Sequence, residues 1–157
     1  MRRALVPVDG SDHALEAVRH VISLVRDGQV LDVHLLHVQP PLSGDVMAFV
    51  PYSAVRDYHL DEATRAMRRA CDLLKRAGIP CSKHIVVGHA ANVIAESARE
   101  LRCDMVVMGT HGFPTIAQLL FGSVSREAIR LMDPSIAVTL VKADHETHRL
   151  NEKRIAT

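Results

Sequence analysis

ALVPVDGSDHALEAVRHVISLVR, residues 4–26, changes its hydrophobic period once, at DGSD, and that change decides the fold. Residues 4–8 are a short apolar run of strand length, whereas Leu15, Val18, Ile22 and Val25 recur at steps of three and four, the spacing of one helix face. Ser11 stands where a helix N-cap belongs, and Asp12 suits the positive end of the helix dipole. Gly28 is a C-terminal stop. The run VLDVHLLHV at 30–38 is then a second strand, ending at Pro40-Pro41. Strand, helix and strand in so few residues form a βαβ unit, and its two strands are parallel because the helix carries the chain back.

The alternation continues. Residues 42–58, LSGDVMAFVPYSAVRDY, lack a clean period and are too long for a turn, so a mobile or partly helical excursion is expected. From about His59 a helical stripe runs through Leu60, Ala63, Met67, Ala70, Leu74 and Ala77, with Arg65, Arg68, Arg69, Asp72 and Lys75 on the other faces. Gly78 ends it. SKHIVVG (82–88) is a third strand, and NVIAESARELR (92–102) a third helix with Ile94, Ala98 and Leu101 inward. DMVVMG (104–109) is uninterrupted and apolar, as a strand covered on both faces should be. GSVSREAIRLM (122–132) supplies a fourth helix with Val124, Ala128 and Leu131 in line, and SIAVTLVK (135–142) a last strand. The expectation is one α/β domain over residues 1–142. Its doubly wound, five-stranded sheet is mainly parallel, with helices on both faces and a polar tail over 143–157.

Composition narrows the function. With 48% hydrophobic and 24% charged residues and a formal net charge of +1, the 157-residue chain has no field that calls for nucleic acid or an anionic membrane. No apolar run reaches the roughly 18 residues of a membrane span, and Pro7 and Asp9 come too early for a signal peptide. A cytoplasmic protein is expected. Cys71, Cys81 and Cys103 are widely spaced in apolar company and read as small buried thiols of a reducing compartment.

Open parallel sheets bind ligands beyond the carboxyl ends of their strands, where strand order reverses. The segments there include Val8-Asp9-Gly10-Ser11 and Gly109-Thr110-His111-Gly112. Gly109 and Gly112 allow positive φ and leave room at main-chain N–H groups. Gly122-Ser123-Val124-Ser125 opens a helix, whose free N–H groups and dipole favour an anion. Read physically, the segment is either an anion site or a turn followed by a Ser123 cap. No GxxxxGK[ST] is present, and DGSDHA replaces GxGxxG after the first strand, which excludes a P-loop and a dinucleotide fingerprint.

The ordered set LVPVDGSDHA, LLHV, VVGHAANVIAESA and DMVVMGTHG, with Gly109-x2-Gly112-x9-Gly122-Ser123, resembles the ATP-binding universal stress proteins over residues 2–142. The resemblance implies sheet order 3-2-1-4-5. It implies that Pro7, Val8 and Asp9 line the adenine and ribose, that Val38 packs on the adenine, and that Met108, Gly109, His111 and Gly112 wrap the ribose and phosphates. Gly122, Ser123, Val124 and Ser125 would hold the polyphosphate of ATP, with Mg2+ as a candidate companion. It further implies a homodimer through residues 135–142, although Ser135 stands where the family usually has proline before the last strand.

The ten histidines do not make a metal site: His34 and His37 point to opposite faces of a strand, and His145-x-x-His148 lies in the tail. No catalytic residue and no metal ligand is assigned, because no carboxylate in the motif orients His111 as a base. The expected function is an adenine-nucleotide-binding stress-response protein that acts as a switch or sensor. The alternatives are a slow ATPase or nucleotide-dependent transferase using His111 and Ser123, and a non-catalytic dimeric interaction module.

Overall fold

The computed structural model describes residues 1–110 and 123–142. In chain order the elements are β1 (Arg2–Pro7), α1 (Asp12–Arg26), β2 (Leu31–Gln39), α2 (Gly44–Phe49), α3 (Tyr52–Arg76), β3 (Cys81–Val87), α4 (Ala90–Glu100), β4 (Met105–Gly109), α5 (Ser123–Leu131) and β5 (Ala137–Val141). The strands form one sheet in the order β3-β2-β1-β4-β5, and every pairing is parallel. The expected order and fold class are those observed.

Alternation along the strands explains the layers. Ala4, Val6 and Val8 join Val33, Leu35, Met105 and Val107 beneath α1 and α3. Leu5, Leu36, Val106 and Met108 take the other face, beneath Val93, Ile94 and Ala98 of α4 and Ala128 of α5. Both faces of β1 and β4 are therefore covered, which is why MVVM in β4 carries no polar residue. At about 25 cal/mol per Å² of apolar surface removed from water, these central strands dominate the stabilisation.

Four expectations are corrected. The 42–58 segment is partly helical, as expected, over α2 and the first turns of α3; what changes is the start of α3, at Tyr52 rather than near His59. Leu60 does not belong to the buried stripe: it is 53% exposed, and Val55, Ala63, Met67, Ala70 and Leu74 face the sheet instead. In α5 the buried line is Ser125, Ala128 and the following Met132, while Val124 and Leu131 are each 40% exposed. A helix of 3.6 residues per turn can turn one such line to the core, and α4 selects it by packing on Ala128. Of the cysteines only Cys103 is buried; Cys71 and Cys81 are half-buried.

At the β3 edge, His34 and His84 stack with ring centroids 5.2 Å apart. Asp32 Oδ2 lies 3.1 Å from His34 Nε2, so that nitrogen carries the hydrogen, and His34 Nδ1 accepts from His84 Nε2 at 2.9 Å. Burial, and then the neighbouring His34, lower the His84 pKa from its ordinary 6.5. A histidine whose folded pKa is depressed binds fewer protons folded than unfolded, so its contribution is full at high pH. It is lost as pH falls through the unfolded value of about 6.5 toward the lowered one. Thermal melts between pH 7.5 and 5.5 will show this decline, and His84→Asn will reduce it; an equal decline in the variant would assign it to other groups.

Candidate functional site

The sheet order sets where a site can form. From β1 the chain crosses one face through α1 to β2, whereas after β3 it crosses the other face through α4 to β4. The helices that follow β1 and β4, α1 and α5, thus lie on opposite faces of the sheet, and a crevice opens between the ends of these neighbouring strands. A cleft of about 680 Å³, part of it open to solvent, lies there.

Eight of the residues singled out from sequence line this cleft: Pro7, Val8, Asp9, Val38, Met108, Gly109, Val124 and Ser125. Ser123 opens α5 but is exposed and is not part of the lining. His111, Gly112 and Gly122 lie outside the described residues. Leu36 and Ile94 complete a mostly apolar wall, and Ser11, His13 and Ala14 contribute the first turn of α1. The apolar wall follows from register, since Leu36, Val38 and Met108 all stand on the face that α4 covers.

The β1–α1 turn is held tightly. Asp9 Oδ1 accepts from the Ser11 amide at 3.0 Å, and Ser11 Oγ accepts from the Ala14 amide at 3.2 Å. An Asx turn therefore leads straight into the helix cap. Gly10 has φ +84°, and a Cβ there would sit 3.3 Å from the Ala66 Cα of α3. The turn is pinned from below as well: the Val8 amide donates to Leu36 O at 2.8 Å, and His37 Nδ1 donates to Val8 O at 3.0 Å. His37 Nε2 lies 2.9 Å from Gln39 Oε1, and both side chains are buried. Sequence reasoning treated His37 as one scattered histidine. Only the register of β2 beside β1 places it under the turn.

The role of Gly109 is corrected. Its φ is not positive; the glycines with positive φ among the described residues are Gly10, Gly28 and Gly78. What Gly109 supplies is space, because a Cβ would fall 2.0 Å from the His13 carbonyl oxygen and 2.4 Å from its carbon. The backbone of α1 thus rests on the end of β4 and closes one side of the cleft.

The family model described as the universal stress protein family matches residues 1–141. The chain belongs to the universal stress protein family. Universal stress protein G of Escherichia coli O157:H7 is 31% identical over 132 residues, spanning 80% of this chain and 89% of that relative. Among solved structures, MJ0577 of Methanocaldococcus jannaschii superposes with a TM-score of 0.74 at 27% identity, covering 92% of this chain and 97% of that one. A universal stress protein in complex with cAMP gives a TM-score of 0.66 at 27% identity, covering 89% and 96%.

Two substitutions probe how this universal stress protein builds its cleft. Gly109→Ala will cost about 3 kcal/mol in urea unfolding, because the added methyl meets backbone rather than a yielding side chain. Ser11→Ala will cost about 1 kcal/mol through the lost cap. A Gly109→Ala loss no larger than the Ser11→Ala loss would show that α1 can shift away from β4.

Proposed function

We propose that this universal stress protein belongs to the ATP-binding subgroup and acts as a nucleotide-dependent switch. The observation that carries the reading is the cleft itself: a mostly apolar wall at the strand-order reversal, with the Asp9 carboxylate at one rim and the start of α5 at another. Val8, Val38, Ile94 and Met108 offer flat apolar surface to an adenine ring, and Asp9 offers an acceptor to ribose hydroxyls or the base amino group. The first N–H groups of α5, with Ser123 and Ser125, favour the polyphosphate end, where His111, Gly112 and Gly122 complete the motif. The structural relative in complex with cAMP supports an adenine nucleotide as the ligand class. Mg2+ would accompany the phosphates and neutralise part of their charge.

Binding by apolar surface, main-chain groups and hydroxyls, with no carboxylate in the motif's sequence to orient His111 as a base, favours sensing over turnover; hydrolysis is at most slow. A ligand shifts a conformation only by differing in affinity for two states. The close approach of Gly10 to Ala66 gives the cleft a mechanical link to α3 and so to the 42–58 segment that leads into it. The protein acts in the cytoplasm; no helix of the described residues is long and apolar enough to cross a membrane.

The second element of the proposal is a homodimer paired through β5. That strand is a sheet edge, apolar and β-branched, and an edge of this kind gains by covering its free main-chain groups. Asp133 Oδ1 accepts from both the amide and the hydroxyl of Ser135, at 2.8 and 2.6 Å. This Asx turn aims the chain into Ala137, the role a proline would otherwise serve.

Denaturing the purified protein and identifying the released nucleotide by chromatography and mass will give an adenine nucleotide. Asp9→Ala and Gly122→Val will each weaken ATP binding by about tenfold or more with the fold intact; unchanged affinity in both sinks the site. Hydrogen exchange with and without ATP will show protection spreading from the cleft to residues 42–58, and protection confined to the cleft would leave a binder without a switch. Sedimentation at micromolar concentration will return the dimer mass; a monomer there rejects the β5 interface.

A further inference from the structure

Cys71 and Cys81 stand apart from the cleft and from the proposed nucleotide chemistry. Cys71 lies in the penultimate turn of α3, and Cys81 opens β3 in register with Val33 of β2. Between them the chain makes a tightly bonded reversal. The Ala77 amide donates to Leu73 O, the Gly78 amide to Lys75 O and the Ile79 amide to Leu74 O, at 2.9–3.1 Å, with Gly78 at φ +71°. That is a glycine-centred helix end whose geometry leaves the two flanking segments little freedom. Strand alternation directs Cys81 to the face that α3 covers, and both cysteines pack at the margin of the core beneath α1 and α3. The two side chains are near enough to interact with each other, and both residues are half-buried, within reach of a small oxidant.

We propose that Cys71 and Cys81 are a redox-sensitive pair that a hydroperoxide converts to an intramolecular disulfide. The Cys71 sulfur attacks the peroxide O–O bond, giving a sulfenic acid on Cys71 and releasing water (or an alcohol, from an alkyl hydroperoxide). The Cys81 sulfur then displaces the sulfenic oxygen. The S–S bond forms, and the departing hydroxide takes the Cys81 proton and leaves as a second water. Two thiols are oxidised and one peroxide is reduced. The product ties the end of α3 to the edge strand β3. Cys103 takes no part: it is buried in the cluster on the other face of the sheet, away from the pair.

The test uses the full chain, treated with hydrogen peroxide, alkylated and digested with trypsin without reduction. Cleavage after Lys75 and Arg76 separates ACDLLK (70–75) from AGIPCSK (77–83), so a bridge between them appears as one linked species that dithiothreitol splits. The expected result is that species at monomer mass, with Cys103 alkylated as a free thiol and a melting temperature raised over the reduced protein. Cys71→Ser and Cys81→Ser will each abolish it, and Cys103→Ser will leave it intact. The map of the unsubstituted chain decides the matter without relying on variants that fold. Separate sulfinic acids on the two cysteines, a bridge to Cys103, or a disulfide only between two chains would each overturn the proposal.

Discussion

The backbone of the first turn of α1 rests directly on Gly109, closer than any side chain would allow. Much else depends on that contact. It fixes where α1 starts relative to β4, and hence how the turn at Asp9 and Gly10 stands over the ends of β1 and β4. It also shows that one glycine of the motif serves packing. A side chain at 109 would lift α1 from the sheet and open the cleft wall formed by His13 and Ala14.

Around this contact the cleft is built by layers with different duties. The sheet supplies the apolar wall through Val8, Leu36, Val38 and Met108, whose burial contributes to stability whether or not a ligand is present. The turn supplies the polar rim through Asp9 and Ser11, held by its own hydrogen bonds and by His37 beneath Val8. Function can vary at the rim without loosening the wall. The β3 edge is different in kind: the His34–His84 pair and the Cys71–Cys81 pair both lie near it, where burial is partial and protons or oxidants can reach.

The fold was legible because hydrophobic period changes cleanly at DGSD and again at each later junction. β-Branched runs alternate with three-and-four spacing, and the uninterrupted MVVM of β4 marks a strand covered on both sides. Legibility failed where two helical lines compete. Leu60 and Val124 fit an apolar stripe by spacing alone, yet both are exposed, because the covering partner selects the line and sequence spacing cannot name the partner. In the 42–58 segment the partly helical character was legible but the helix start at Tyr52 was not, since these helices bury little: α2 buries no residue, and Phe49 and Tyr52 stay 87% and 77% exposed.

The sequence by itself determined the element types, the parallel sheet and the ordered motif that marks a universal stress protein, because these rest on local period, turn chemistry and spacing. Only the tertiary structure decided which residues meet. It set His37 under Val8 through the register of β2 on β1, brought Cys71 to Cys81 across the α3–β3 reversal, and gave Gly109 its duty against His13. Each of these is a distance between segments that are separate in sequence. Such distances are set by packing, and no local pattern encodes them.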